Sequence, residues 1–452
     1  MTIDVLIADD SQYLRKSIAD ILKEHDSIKI VDYAKDGIEA VKFVKKYSPD
    51  VLVLDLVMPK KNGLDAFKEI MEVQPTPTVI LSAVSPKNLD SSIQALLMGA
   101  FDYIIKPGGI GAKDLPRFRK ELLAKVLLAS QSQIKKIFKK DGNILRKSRS
   151  LRQEMVDRIF DFGQYLNRLE PIQEIEEQQD HDSFEIIKVK AILKEEIELE
   201  KEGRASSEEI HQVAISSSKN LKTKTEIITP KSIIQKNKTK GQIKKTKSLK
   251  IPDLTPIKGV FLNTNIIVMG ASVGGPRTIT TILKEIPRNF NAPILIVQHL
   301  SSHFTEAFAD NLNIECDLKV KVAQNGENIQ PGTVYIAPGD MHMEISIENK
   351  NAIIKISKGT PINFCMPSID VLFYSAAKIY RNRTMGILLT GMGSDGVEGL
   401  GAIKKVGGQT IAEAEETSIL YAMPKFAAEK HYADLVLPNF KINEKILKFI
   451  NN

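Results

Sequence analysis

Apolar residues in the first 125 positions recur with two different periods. Short continuous runs lie at 4–8, 28–34, 51–55, 78–82 and 101–105. Between and after them, near 11–25, 36–47, 63–73, 86–99 and 113–130, apolar side chains recur every three to four residues. The runs read as buried strands and the longer stretches as amphipathic helices. Five strands alternating with five helices predict a parallel sheet covered on both faces. Right-handed crossovers make it a doubly wound (βα)5 α/β fold. The alternation resumes at Ile266, with apolar runs at 266–269, 293–297, 333–337, 353–356, 386–389 and 435–437. Helical patterns separate most of these, which predicts a second α/β domain with a mostly parallel sheet. A hairpin-like insertion is expected around 342–357.

The stretch between them has a different texture. Leu151, Met155, Ile159, Phe162, Leu166 and Leu169 keep helical spacing, so one amphipathic helix is expected there. Residues 170–202 hold twelve acidic side chains, and 203–258 are rich in Lys, Ser and Thr without Phe, Tyr or Trp. Such a composition lacks the apolar surface needed to offset ordering entropy. The expected organisation is therefore a domain at 1–125, a long charged linker at 126–258, partly helical and partly disordered, and a second domain at 259–452.

Charge sharpens this division. The net charge is +7. Residues 216–258 alone contribute +10, from twelve lysines against Glu226 and Asp253, so the remainder of the chain sums to −3. The basic character belongs to one low-complexity arm and not to a folded face. A lysine-only arm without arginine or aromatic partners offers salt-sensitive phosphate contacts and no base reading, so no nucleic-acid partner is expected. No apolar run is long enough to span a bilayer, and MTIDVLIADD has no signal-peptide pattern. The two cysteines, Cys316 and Cys365, form neither a disulfide framework nor a C-x-x-C pair. A cytoplasmic protein that is not membrane-inserted is expected.

In open parallel sheets function gathers beyond the carboxyl ends of the strands. Asp9 and Asp10 follow the first strand of the N-terminal domain, Asp55 ends the third, Ser82 the fourth, and Lys106 follows the fifth. Converging carboxylates repel one another, and a divalent cation relieves that repulsion; hard oxygens suit Mg²⁺. The same cation neutralises charge during phosphoryl transfer to a carboxylate, with Lys106 and the Ser82 hydroxyl placed to meet the phosphoryl group. In the second domain, Gly270–Gly274 reads G-x-S-x-G between a strand and a helix opening at Pro276. That turn exposes the Ser272 hydroxyl beside backbone N–H groups that favour developing negative charge. His299, at the end of the run APILIVQH, is a candidate base, alongside His303, His342 and His431. Asp395, in the loop TGMGSDG after another strand, is the best-placed orienting acid; Asp340 and Asp370 are weaker candidates, and Asp370 near a helix start reads equally well as a cap.

Two family resemblances bear on these residues. VLIADDS, VLVLDLVMPKKNG, VILSA and GAFDYIIKP resemble the receiver domains of response regulators. GASVGG, VQHLSSHFTEAFADNL, YIAPGDMHM, PSIDVLF, GILLTGMGSDGVEGL and TSILYAMPK resemble the catalytic domain of chemotaxis protein-glutamate methylesterases, and the domain order matches the whole CheB architecture. The first resemblance implies that Asp55 accepts phosphate from a chemotaxis histidine kinase. It also implies that Asp9, Asp10 and Asp55 hold Mg²⁺ with the Val57 carbonyl, and that Ser82 and Tyr103 are switch residues. The second implies a Ser272–His299–Asp395 triad, Met392 near the oxyanion site, no cofactor in the catalytic domain, and glutamyl methyl esters of methyl-accepting chemotaxis receptors as substrate, with receptor glutamines as a further substrate. It implies too that the unphosphorylated receiver covers the catalytic cleft; a long linker predicts that this cover is weak. Val273 stands where family members often carry Thr, and Glu413-Ala414 where Gln-Asp is common. The alternatives are a receiver-controlled serine hydrolase with another substrate, or a non-enzymatic receiver protein that binds through its basic linker.

Overall fold

The computed structural model describes residues 2–83, 86–107, 115–138, 254–255 and 264–451. The helix expected over 151–169 and the lysine-rich arm lie outside these residues.

The N-terminal domain is a five-stranded parallel sheet of β1 (Ile3–Ala8), β2 (Ile28–Ala34), β3 (Val51–Asp55), β4 (Thr78–Ser82) and β5 (Asp102–Ile105), in the order β2-β1-β3-β4-β5. Helices α1 (Gln12–Leu22), α2 (Gly37–Tyr47), α3 (Gly63–Val73), α4 (Pro86–Leu97) and α5 (Leu115–Ala129) connect and cover it. The fully buried β3 packs both faces, with Val51 and Val53 on one side and Leu52 and Leu54 on the other. This is why the strand sequences read as continuous apolar runs and not as alternation. Side-chain caps start three helices: Ser11 accepts from the Leu14 N–H, Asp36 from Glu39 and Asn62 from Asp65. Helix α5 runs four residues beyond position 125, and a short turn, α6 (Ile134–Ile137), follows with Ile134 buried.

The second domain has a seven-stranded parallel sheet in the order β14-β13-β12-β6-β7-β9-β8. Its strands are β6 (Ile266–Ala271), β7 (Ile294–Gln298), β8 (Lys319–Val322), β9 (Thr333–Ile336), β12 (Thr384–Leu388), β13 (Gln409–Glu413) and β14 (Leu435–Leu437). The helices are α7 (Gly275–Leu283), α8 (Ser302–Glu315), α9 (Ile369–Tyr380), α10 (Val397–Lys405), α11 (Met423–Glu429) and α12 (Ile442–Asn451). Strands β10 (His342–Glu348) and β11 (Asn351–Ser357) form the expected antiparallel hairpin as a separate two-stranded sheet, tied to α9 by the Ile345 N–H bond to Ser375 Oγ. Chain order progresses one way from β6 through β7 and the other way from β12 through β13. The sheet therefore reverses direction where β6 lies beside β12 and β7, the place where such folds open a crevice.

Sequence pattern missed two strands. β8 is a short edge strand that alternates Lys and Val. β13, QTIAE, is buried but carries Thr410 and Glu413, whose polar atoms are hydrogen-bonded inside the protein. Their polarity disguises its burial.

The two domains touch directly. Tyr103, at the end of the receiver-like sheet, stacks on Phe304 of α8 with ring centroids 3.8 Å apart. Asn311 of α8 donates to Asp90 of α4 at 2.9 Å. Beyond α5, the Gln133 N–H bonds the Ile419 carbonyl at 3.0 Å, and the Arg277 guanidinium lies 4.6 Å over the Phe138 ring. Ile134 shares an apolar cluster with Val273 and Ile419.

Candidate active site and phosphoacceptor pocket

Three strand ends converge at the crevice of the second domain. Ser272 follows β6, His299 follows β7, and Asp395 lies in the loop after β12. Gly274, the residue before α7, has φ +78°, a left-handed conformation that glycine adopts without the cost a Cβ would add. Gly391 lets the β12 loop pass close to the serine: a Cβ on it would lie 2.6 Å from Ser272 Cβ and 2.5 Å from Met423 Sδ. The serine turn is pinned by its backbone. The Ser272 N–H bonds the Thr390 carbonyl at 3.0 Å, and Gln298 Nε2 donates to the Ser272 carbonyl at 2.8 Å.

His299 Nε2 lies 2.9 Å from Asp395 Oδ2. Asp395 is buried and collects further donors: the Ile369 N–H at 2.7 Å, Ser368 Oγ at 2.7 Å, the Asp370 N–H at 3.3 Å and Asn363 Nδ2 at 3.3 Å. Two of these are backbone groups at the start of α9, where orphan N–H groups and the helix dipole favour an anion. Burial works to raise the Asp395 carboxyl, but His299 and these donors overcome it and hold it below the ordinary range. Asp395 is thus set up to stay ionised. The other ring nitrogen, His299 Nδ1, faces Cys365 Sγ at 3.7 Å. Burial opposes charge on the ring, yet Cys365 and Asp395 together raise it to about 10. Ser272 Oγ makes no hydrogen bond among the described residues. Catalytic hydrogen bonds are often long before substrate binds.

The remaining candidates have other work. Asp340 accepts from Ser302 N–H and Oγ at the start of α8. Asp370 does not cap its own helix; it accepts from the Gly399 N–H of α10 at 2.7 Å, and burial beside Asp395 pushes it up to about 7. His342 Nδ1 accepts from the Ser368 N–H, so it buttresses the residue that holds Asp395. His303 is exposed on α8, and His431 sits past α11 with φ +57°. Met392 is partly exposed on the loop between Thr390 and Asp395. Gln298, Thr390, Ser368, Asn363 and Cys365 were not singled out by sequence. Gln298 and Thr390 adjoin residues that were, but hydrogen-bonding hydroxyls and amides leave no periodic signal.

In the first domain Asp9, Asp10 and Asp55 offer oxygens within 4.8 Å of one another. Lys106 Nζ reaches Asp9 at 2.8 Å and Asp55 at 2.7 Å. Burial pushes Asp55 up while the Lys106 charge pulls it down, and the upward shift prevails. Three hard carboxylate donors, one of them exposed, fit a Mg²⁺ ion that keeps part of its water shell. Ser82 Oγ is 2.9 Å from Ser92 Oγ. The Tyr103 hydroxyl lies 3.2 Å from Ser301 Oγ and accepts from the Ser301 N–H at 3.2 Å. Tyr103 is therefore bonded two residues from His299. A cavity of about 1000 Å³ opens here, lined by Tyr103, Lys106 and Lys125 from one domain and His299, Ser301 and Cys365 from the other.

Comparison with known proteins agrees with both halves. Residues 267–446 match the CheB methylesterase family and residues 5–113 the response regulator receiver domain. The chain is 34% identical to a protein-glutamate methylesterase/protein-glutamine glutaminase of Methanococcus maripaludis, over 99% of this chain and 98% of that protein. It is 30% identical to the Thermotoga maritima protein of the same name, with the same coverage. The crystal structure of the Thermotoga maritima CheB methylesterase catalytic domain is 42% identical, covering 42% of this chain and 100% of that one, with a TM-score of 0.41.

Proposed function

The chain belongs to the CheB family of receiver-linked protein-glutamate methylesterases/protein-glutamine glutaminases, and from that premise we propose that it hydrolyses glutamyl methyl esters on methyl-accepting chemotaxis receptors, and receptor glutamine amides, with Ser272 as nucleophile. The observation that carries this reading is the 2.9 Å contact between His299 Nε2 and the buried Asp395, beside the Ser272 turn at adjacent strand ends.

Asp395 occupies Nε2, so Nδ1 is the ring nitrogen left to act as base. It takes the Ser272 proton as Oγ attacks the ester carbonyl carbon. Asp395 fixes the tautomer and stabilises the imidazolium. The tetrahedral oxyanion forms beside the backbone N–H groups at the start of α7 and the Met392 loop; losing one such donor typically costs about 10²–10³ in rate. Collapse breaks the ester C–O bond, and methanol leaves with the proton from His299. Water, deprotonated by the same ring, then opens the acyl-serine and leaves a glutamate side chain. With a glutamine substrate, ammonia leaves in place of methanol.

Control belongs to the receiver. Asp55 accepts a phosphoryl group from the chemotaxis histidine kinase, in a pocket where Asp9, Asp10, Asp55 and the Val57 carbonyl would hold Mg²⁺. When bound, the ion neutralises charge during that transfer. Lys106 and Ser82 meet the phosphoryl oxygens, and the rearrangement reaches Tyr103, whose hydroxyl contacts Ser301. Loss of that contact uncovers His299. The proposed substrate and phosphodonor imply a cytoplasmic location. Methanol release from methylated receptor membranes, with and without acetyl phosphate, tests the reading. Ser272→Ala is expected to abolish release and Asp55→Ala to remove the response to phosphodonor; near-normal release by Ser272→Ala would overturn the serine mechanism.

A further inference from the structure

Behind the serine turn lies a buried carboxylate that neither the mechanism nor the receiver uses. Glu413, the last residue of β13, is fully buried. One of its oxygens accepts from the Thr390 N–H at 2.8 Å. The other accepts from Thr417 Oγ1 at 2.8 Å and lies 3.3 Å from Thr278 Oγ1 on α7. Thr390 in turn holds the nucleophile turn from two directions. Its carbonyl accepts from the Ser272 N–H at 3.0 Å, and its hydroxyl donates to the Val273 carbonyl at 2.9 Å while accepting from the Leu420 N–H. Thr390 also begins the loop that carries Met392 and Asp395. Glu413 thus joins the β12 loop, the serine turn, α7 and the 417–420 segment at a single point.

We propose that Glu413 is a positioning residue for hydrolysis: its carboxylate clamps Thr390, and Thr390 sets the place of Ser272 relative to His299 and Asp395. This rests on the assignment of Ser272 as nucleophile. Every bond described at Glu413 is one that a carboxylate accepts. Bonds to a charged acceptor are roughly twice as strong as neutral ones, so protonation weakens the clamp even where a threonine hydroxyl turns to accept. Burial raises the group to about 7, against the pull of Thr390, Thr417, Thr278 and the Arg277 charge on α7. Arg277 is the charged side chain that acts on it; Thr278, Thr390 and Thr417 are neutral. The clamp therefore loosens as pH falls through that range. Stability runs the other way. A carboxyl raised in the folded state binds its proton more tightly there than in the unfolded chain, so this group's contribution to stability increases as pH falls. A merely structural role would give activity and stability the same direction.

The test is the rate at which a fluorophosphonate serine-hydrolase probe labels Ser272 in the full-length chain with Mg²⁺ and acetyl phosphate, read by mass spectrometry alongside thermal melts. Glu413→Ala is expected to slow labelling by at least about tenfold, since small misplacements at a reacting centre carry large penalties. Glu413→Gln, which mimics the protonated carboxyl, keeps an acceptor for the Thr390 N–H but loses the charge, and is expected to label faster than Glu413→Ala yet slower than wild type at pH 8.5. The ratio of Glu413→Gln to wild-type rate should rise as pH is lowered to 6, a ratio from which the titration of His299 cancels. Labelling of Glu413→Ala at the wild-type rate overturns the proposal. If that variant does not fold, a flat Glu413→Gln ratio across this range overturns it instead. Undiminished labelling of the whole protein in Ser272→Ala, at another residue, would sink the serine assignment and the positioning role together, whereas failure confined to the Glu413 variants sinks only the latter.

Discussion

At the scale of single residues, the site is organised by who holds which proton. Asp395 is kept ionised by five donors although it is buried, and so it commits the Nε2 proton of His299. Under the proposed mechanism Asp395→Asn leaves the shape in place but disturbs the tautomer, and kcat is expected to fall on the order of 10³–10⁴-fold. Initial-rate measurement on methylated receptors checks this. His299 itself is raised, so at neutral pH most rings carry the proton that a base must first lose. Esterase activity should therefore climb from pH 7 toward 9. Cys365 is one of the groups that raise the ring. Cys365→Ala removes that partner and should move the rising limb of kcat/KM to lower pH, with His299→Ala inactive throughout. A rising limb that stays in place in Cys365→Ala would show that the thiol does not govern the base.

At the scale of elements, the decisive feature is the turn between β6 and α7. Gly274 has a left-handed φ, and a Cβ there would also lie 2.6 Å from the Ile419 side chain. Gly274→Ala should cost about 1–2 kcal/mol from backbone strain alone, with the Ile419 clash adding to it, and lower Tm by roughly 2–8 °C. Because the strain falls on the residue two after Ser272, activity measured well below Tm should fall as well. An unchanged melt would mean that the turn relaxes elsewhere. The turn's sequence signal, G-x-S-x-G between a strand and Pro276, was legible because glycine and proline punctuate the backbone locally. The partners that pin it were not. Gln298, Thr390 and Glu413 come from other strands, and their pairing depends on sheet order.

At the scale of the whole molecule, the receiver lies against the crevice through Tyr103, α4 and the segment just past α5. Tyr103→Ala removes both the Phe304 stacking and the Ser301 bonds, and should raise the activity of the unphosphorylated protein while leaving less for acetyl phosphate to add. A basal rate equal to wild type would show that this contact does not restrain catalysis. The long linker acts in the opposite sense. The length and charge of the segment between the two domains predict a weak cover of the cleft. The Gln133–Ile419 bond and the Arg277–Phe138 contact tie the chain down before most of that length begins. Comparing residues 259–452 with the unphosphorylated full chain separates the two effects: a small gain on removing the receiver is expected from the tether, and a large one would mean that the local contacts dominate.

The sequence by itself determined two parallel α/β domains, their order, and the residues at their strand ends. Those properties are written in local periods: continuous apolar runs for doubly covered strands, helical spacing between them, and glycine at a turn that admits little else. Asp9, Lys106, Ser272 and His299 were legible because each stands just past the end of such a run, Asp55 because it ends one, and Asp395 because it lies in the glycine-rich loop that follows one. Only the tertiary structure decided the strand order, which brings β6, β7 and β12 side by side. It also decided that Nε2 and not Nδ1 of His299 meets Asp395, that Cys365 faces the other nitrogen, and that Tyr103 reaches Ser301 across the domain boundary. It reassigned Asp370 from a helix cap to a partner of Gly399, and recovered β13, whose Thr410 and Glu413 hide a buried strand behind polar side chains. Each of these depends on pairs far apart in the chain, held at hydrogen-bond distance by packing, and spacing along one sequence carries no record of such pairs.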